Sequence, residues 1–203
     1  MIWWLRNRRI AVPLSCAAAA AVLTILAGDY SIPTPSFLAF GLPAVALALI
    51  LPLALAITVN VALGRADRQA EDLALRLITA LDLSLALATV TVFAVPLLLI
   101  EPTNPTSLGA IRNALGLVSC GLLLRTLIPE DVAVVVPVAW TIIAAAFGAG
   151  LDNRATWWAW QLADGRNTTS WIFSTALAAA AVTALATWRI RPSRAQFSTG
   201  FTS

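Results

Sequence analysis

The sequence contains neither histidine nor lysine, and all thirteen of its basic residues are arginine. Without imidazole, the chain lacks the commonest metal ligand, and it has no Ser-His-Asp triad and no histidine proton relay. Without lysine, it has no GxxxxGK[ST] loop for nucleotide phosphates. These absences predict a protein that is not an enzyme, with no cofactor and no metal of its own.

Charged residues are also scarce. They make up 11% of the 203 residues, whereas a soluble domain usually has about 25%. The hydrophobic share is 60% and the mean hydropathy is +0.85. The net charge of +3 is scattered between apolar runs, so it does not indicate a nucleic-acid surface. The composition therefore predicts an integral membrane protein.

Only two cysteines are present, Cys16 and Cys120, and both lie inside apolar runs. A disulfide between them has no support from the sequence, because structural disulfides belong mainly to small secreted domains. We interpret the two thiols as small apolar side chains.

Six apolar segments predict an all-α, polytopic bundle of six transmembrane helices in a single domain, residues 1–203. The predicted spans are residues 10–28, 37–64, 78–100, 108–128, 132–150 and 171–188. Ten of the thirteen arginines fall on one side of this topology. By the positive-inside rule, we expect both termini to lie in the cytoplasm. The expected location is the bacterial plasma membrane, which the chain would cross several times.

The N-terminal segment, residues 3–9, combines Trp3 and Trp4 with three arginines. This pattern suits a short helix lying in the inner membrane interface. An ordinary basic flank is the alternative, although it explains the tryptophan pair less well.

The cytoplasmic connection between the second and third spans, residues 65–76, is the most charged stretch of the chain. Ala66, Ala70 and Leu73 recur at helical spacing, which gives one apolar face. Such a helix suits docking into a soluble partner. A solvated extension of the third helix is the alternative.

The outer connection, residues 151–170, contains Trp157, Trp158 and Trp160 between charged residues. Its apolar centre favours a re-entrant segment, for which a pair of short helices would satisfy the backbone. An interfacial aromatic belt explains the tryptophans equally well. Trp140, near the middle of the fifth span, suits either helix packing or the lining of a path.

Four charged residues lie within or beside the third and fourth spans. Unpaired charges in hydrocarbon are costly, so we expect pairing between adjacent helices. The predicted pairs are Asp82 with Arg125 and Glu101 with Arg112. Snorkelling to the interfaces also explains the positions of the two arginines. The alternative to structural pairing is direct handling of a substrate or a proton by these charged residues.

The topology, with an interfacial N-terminal helix, an inner charged helix and a re-entrant outer segment, resembles the ABC-2-type permease family over nearly the whole chain. Residues 112–125, the Pro137-Val138-Ala139-Trp140 stretch and Trp157-Trp158-Ala159-Trp160 also resemble small permease-like proteins of actinobacteria.

This resemblance implies a homodimer or pseudo-dimer that works with an ABC ATPase subunit, which would carry ATP and Mg²⁺. The inner helix would then be the coupling helix, with Arg68, Glu71 and Asp72 as its ATPase contacts. The tryptophan segment would gate the outer end. The expected function is export of an amphiphilic peptide, natural product or lipid-linked molecule. The alternative is a non-transporting assembly, sensor or immunity component that binds a cytoplasmic partner.

Overall fold

The chain folds mainly into helices. A computed structural model describes residues 8–33, 44–64, 75–150 and 155–188. The helices are α1 Ala11–Ala27, α2 Leu47–Ile50, α3 Pro52–Gly64, α4 Leu75–Ile100, α5 Pro105–Leu127, α6 Glu130–Phe147 and α7 Thr168–Trp188. One turn of 3₁₀ helix, Trp160–Leu162, lies between α6 and α7.

A small hairpin follows α1. Strand β1, Ser31–Pro33, pairs antiparallel with strand β2, Ala44–Ala46, and Ile32 lies opposite Val45. The sequence predicts a helix over residues 37–64, but the described part of this segment begins as strand β2 and becomes helical only at Leu47. Hydropathy alone does not separate a short apolar strand from an apolar helix, which explains the difference.

Four helical stretches are long and apolar enough to cross a membrane. They are Leu47–Gly64, Thr79–Ile100, Pro105–Leu127 and Thr168–Thr187. The protein therefore has the character of a multi-pass membrane protein. Ala11–Ala27 and Asp131–Phe147 are apolar but shorter, so a topology of six spans remains a prediction.

Helix α5 occupies the centre of the bundle. It packs against α3, α4, α6 and α7. In its most apolar stretch, 72% of the residues are buried, compared with 17% in α7. Asn104 begins the helix, because its side-chain oxygen accepts a hydrogen bond from the Thr106 N–H at 2.9 Å, and Pro105 occupies the first turn.

Glycines allow neighbours to approach α5 closely. A Cβ atom at Gly116 would lie 2.4 Å from the indole of Trp160, and one at Gly121 would lie 2.0 Å from the side-chain nitrogen of Asn60. Both distances are too short for any side chain to fit without displacement. The small residues of α5 thus set how near the 3₁₀ turn and α3 can come.

Part of the surface of α4 is apolar and exposed. Its large exposed side chains are Leu87, Val92, Val95, Leu98, Leu99 and Ile100. This face suits contact with lipid chains, since a soluble protein rarely exposes so continuous an apolar surface.

Candidate functional site

The site is built around Arg112, which lies about two turns into α5. Its side chain is fully buried, with 0% of the residue exposed. The guanidinium donates hydrogen bonds to the carbonyl oxygens of Gln161 at 3.2 Å, Ala163 at 3.0 Å and Asp164 at 2.9 Å. The Asp164 carboxylate adds electrostatic attraction. Arg112 therefore holds the segment between α6 and α7 against the central helix.

Asn113, the next residue of α5, completes this anchor. Its side-chain oxygen accepts hydrogen bonds from Nε and Nη2 of Arg112, at 3.2 and 3.1 Å. Its side-chain nitrogen donates to the carbonyl oxygens of Gln161, at 2.8 Å, and Leu49, at 3.1 Å. Helix α2, helix α5 and the 3₁₀ turn thus meet at one amide. We call Arg112, Asn113 and Gln161 the polar anchor.

We call the segment between α6 and α7 the anchored segment. In its described residues it does not form the pair of short helices expected from the sequence. Its described part, residues 155–167, contains an isolated β-bridge between Ala155 and Ala149 and the single 3₁₀ turn. Irregular backbone can be buried when protein groups satisfy it, and the side chains of Arg112 and Asn113 supply the missing donors. Gly165 fits closely here, since a Cβ atom would lie 1.9 Å from the carbonyl oxygen of Pro105.

A cavity of about 270 Å³ lies beside the polar anchor, between α5, α6, α7 and the anchored segment. Most of its lining is aromatic or aliphatic. The lining residues are Leu117, Cys120, Pro137, Trp140, Trp157, Trp158, Trp160, Gln161, Phe173 and Leu177. We call it the aromatic cavity.

The aromatic side chains of the cavity pack in pairs. The rings of Trp140 and Trp158 meet edge to face, with 6.4 Å between their centroids. The rings of Trp157 and Phe173 are tilted by 32°, with centroids 6.3 Å apart. Trp157 is 73% exposed, whereas Trp160 is buried, so the lining extends from the bundle interior to its surface. The structure therefore brings all three tryptophans of the predicted outer segment together with Trp140.

Gln161 links the polar anchor to the aromatic cavity. The residue is 2% exposed, and its backbone carbonyl accepts the bonds from Arg112 and Asn113. Its side-chain oxygen Oε1 is buried and has no hydrogen-bond partner within the residues that the structure describes. Buried oxygens are normally paired, because an unpaired one loses its hydration without compensation.

Glu101 and Arg112, which the sequence predicts to form an ion pair, bond to other groups in the described part of the chain. Within the described part of the chain, Glu101 accepts hydrogen bonds from Asn104, at 3.0 Å, and from Ser107. Arg112 instead faces the backbone carbonyls of the anchored segment. Helix α5 begins at Pro105 rather than residue 108, so Arg112 lies about two turns from the start of the helix instead of one.

For the other predicted pair, the structure shows a further contact of each residue, and the pairing of Asp82 with Arg125 stays a prediction. Asp82 forms an ion pair with Arg8, at 3.1 Å, and Arg8 also donates to the carbonyl oxygen of Leu63. Arg125 donates to the carbonyl oxygen of Asn60 at 3.0 Å. Arg8 is 1% exposed, so this basic residue of the N-terminal segment is not solvated but connects the end of α3 to α4.

The predicted coupling residues Arg68, Glu71 and Asp72 lie outside the described residues, as do Trp3 and Trp4 of the predicted interfacial helix. Their roles stay predictions. In the part that the structure describes, no three His, Cys, Asp or Glu side chains come together as a metal site.

Two residues of the polar anchor, Asn113 and Gln161, were not identified from the sequence. The available signal was the occurrence of each amide inside an otherwise apolar stretch, where polar side chains tend to have a specific role. Their geometry cannot perform nucleophilic or acid-base catalysis, since the anchor consists of amides and one arginine. It can position a wall of aromatic side chains around an apolar guest.

Comparison of the chain with protein families, with curated proteins and with solved structures finds no match.

Proposed function

We propose that the chain is the membrane-spanning subunit of a bacterial ABC-2-type transporter that exports an amphiphilic compound, such as a peptide, a natural product or a lipid-linked molecule. The observation that carries the proposal is the aromatic cavity, which lies among helices apolar enough to cross a membrane. An apolar, aromatic-lined space with one polar group is the usual form of a site for small amphiphiles.

The lining residues of the cavity range from exposed to buried, which supports passage of a guest molecule through the cavity rather than its permanent retention. Trp157 and Phe173 are 73% and 37% exposed at the surface of the bundle, while Trp160 and Leu117 are buried. An apolar guest entering from the lipid therefore meets aromatic surface continuously. In our proposal the anchored segment is the outer gate, because its tryptophans form one wall and Arg112 fixes its backbone.

The source of energy in this proposal is a separate ATPase chain. The sequence has no phosphate-binding loop of the GxxxxGK[ST] type, so ATP and Mg²⁺ would bind to the partner. Residues 65–76 would dock into that partner through Arg68, Glu71 and Asp72. Both termini would lie in the cytoplasm, and two copies of the chain, or a pseudo-dimer, would form the membrane unit.

The test begins with purification of the full chain from its native membrane together with any bound ATPase. The complex is reconstituted in proteoliposomes, and ATP hydrolysis and export of fluorescent amphiphiles are measured. We expect Arg68→Glu and Glu71→Arg to reduce both the association and the hydrolysis at least tenfold. Arg191→Glu, in the predicted C-terminal tail, is the matched charge-reversal control and should retain both.

A second pair of variants tests the cavity. Trp158→Ala should reduce export while ATPase binding persists, because the lining loses an aromatic wall. Trp188→Ala, at the end of α7, is the matched tryptophan-to-alanine control. Transport would be refuted if the ATPase complex stays intact but no amphiphile changes its rate of ATP hydrolysis and none is exported from the vesicles. That result would favour a non-transporting component that binds a cytoplasmic partner.

A further inference from the structure

The aromatic cavity opens at the surface of the bundle and ends among buried side chains. Trp140 of α6 and Phe173 of α7 both line it and are 43% and 37% exposed, so the opening lies between these two helices. At the inner end, Leu117 and Trp160 are buried. The stretch of α7 that carries Phe173 is apolar and long enough to cross a membrane. A guest would therefore enter from the side, where lipid chains surround the bundle.

The cavity is short in the direction of the helix axes. Three helices contribute two lining residues each, namely Leu117 and Cys120 in α5, Pro137 and Trp140 in α6, and Phe173 and Leu177 in α7. The two members of each pair are three or four residues apart, which corresponds to one turn, about 5 Å, along the axis. A lipid chain follows a membrane-spanning helix for about 15 Å, half of the hydrocarbon core. The cavity therefore suits a compact group better than a lipid chain.

The volume of the cavity corresponds to two fused rings. An engineered cavity of about 150 Å³ accepts benzene, a ring of six carbon atoms. In the same proportion, the 270 Å³ of this cavity accommodates about eleven carbon atoms. Two fused six-membered aromatic rings contain ten carbon atoms and are rigid. A flexible chain of ten carbon atoms would have to coil within one turn of height, and it would lose rotational freedom on binding.

The lining favours an aromatic ring without polar groups. Trp140 and Trp158 meet edge to face, and Trp157 lies against Phe173, so rings already pack against rings in this cavity. Such aromatic pairs are more favourable than the burial of their area alone. Gln161, whose amide is the polar group of the lining, is only 2% exposed, and the described lining contains no charged side chain. A polar substituent inside the cavity would therefore lose its hydration without gaining a partner.

We propose that the aromatic cavity binds the fused aromatic ring system of an amphiphile, about two rings in size and without polar substituents, and that the rest of the molecule leaves through the opening between α6 and α7. This inference rests on the proposed function, since it names the substrate class of the same cavity. It nevertheless concerns binding alone and can be measured without any ATPase.

The experiment uses the full chain in lipid nanodiscs and its tryptophan fluorescence, since four tryptophans line the cavity. The probes are 1-bromonaphthalene and 1-bromodecane, which share ten carbon atoms and one bromine atom and differ in being a rigid ring system or a flexible chain. Bromine quenches nearby indoles, and the saturable part of the quenching reports occupancy. Concentrations are expressed as mole fractions in the lipid, which removes differences in partitioning. We expect 1-bromonaphthalene to half-saturate the site at a roughly tenfold lower mole fraction than 1-bromodecane.

Two cysteine variants test whether the probe occupies this cavity. Cys120→Phe fills part of the cavity and should abolish saturable quenching by 1-bromonaphthalene. Cys16→Phe is the matched control, because Cys16 lies on α1, which contributes no residue to the described lining, and it should retain the half-saturation of the wild type. Saturable quenching that is unchanged in Cys120→Phe would place the probe elsewhere and overturn the inference.

The inference would also be overturned if 1-bromodecane half-saturates the wild-type protein at an equal or lower mole fraction, or if 1-bromonaphthalene gives no saturable quenching. The wild-type comparison needs no substitution, so poor folding of a variant does not prevent a decision. Ring-selective binding without ATP-dependent export of amphiphiles would leave this inference standing and remove the proposed function. Export of amphiphiles by a protein without ring preference would remove this inference alone.

Discussion

Arg112 in α5 donates a hydrogen bond from Nη2 to the carbonyl oxygen of Ala163, which lies 51 residues further along the chain, at 3.0 Å. The bond joins a fully buried guanidinium to a segment without regular helix. It explains how irregular backbone can pack inside an apolar bundle, because the guanidinium spreads its donors over several carbonyl groups.

Replacement of Arg112 by methionine should lower the free energy of unfolding by about 3 kcal/mol. Three carbonyl oxygens lose their donor, two in buried bonds and that of Asp164 in a part-buried one, and each bond contributes roughly 1 kcal/mol. The measurement is unfolding in mixed micelles, followed by circular dichroism. Arg166→Met is the matched control, since Arg166 is exposed and makes one side-chain bond, to the carbonyl oxygen of Thr103. Equal losses for the two variants would contradict the anchoring role of Arg112.

Asn113→Asp should destabilise the protein even though it places a carboxylate beside Arg112. The substitution keeps the acceptor for the guanidinium but removes the donor to Leu49 and Gln161. We expect a loss of about 2 kcal/mol at neutral pH, because two carbonyl oxygens then face a negatively charged group. The same unfolding assay measures it. A variant as stable as the wild type would show that charge pairing, rather than the donor geometry, dominates at this position.

Gly116→Ala should be destabilising through overpacking. The added Cβ would lie 2.4 Å from Trp160 and 2.9 Å from the hydroxyl of Ser174, so the 3₁₀ turn must move. We expect a cost of about 2 kcal/mol. A double-mutant cycle with Trp160→Phe is the decisive measurement, because the smaller ring relieves the clash. Purely additive effects would show that the cost arises elsewhere.

A further cycle distinguishes the partners of Asp82. The ion pair with Arg8 predicts a coupling energy of about 1 kcal/mol between Arg8→Gln and Asp82→Asn. The cycle of Asp82→Asn with Arg125→Gln should show a smaller coupling, since Arg125 donates to the carbonyl oxygen of Asn60. The stability of all single and double variants is compared in the same micelles. A coupling energy between Asp82 and Arg125 that exceeds the one between Asp82 and Arg8 would contradict this expectation and support the pair predicted from the sequence.

Much of the helical architecture could be predicted from hydropathy. The sequence predicts a span over residues 108–128, and the helix observed is Pro105–Leu127; the last predicted span, 171–188, corresponds to Thr168–Trp188. Apolar runs and turn residues are local signals, which is why these positions agree closely. Hydropathy does not identify strand β2, because Ala44–Ala46 is as apolar as the helix that follows.

The polar anchor could not be predicted in the same way. Arg112 and the tryptophan segment are far apart in the sequence, and the partner of a buried arginine depends on which backbone carbonyls tertiary packing leaves unpaired. Those carbonyls belong to Gln161, Ala163 and Asp164. Pairing of charged side chains predicts Glu101 as the partner of Arg112, because it takes no account of backbone acceptors, and these lie about fifty positions away.

The buried position of α5 also has a consequence for biosynthesis. An arginine at the centre of a nascent helix costs about 2.5 kcal/mol or more on insertion into lipid, and Arg112, about two turns from the start of α5, bears part of that cost. Apart from Asn113, the groups that compensate Arg112 lie in residues 161–164 and leave the ribosome only after α6 has been made. Helix α5 should therefore wait beside α3 and α4, or within the insertion machinery, until the anchored segment arrives. The time at which the carbonyl groups of residues 161–164 are synthesised thus sets the order in which the helices of this protein assemble.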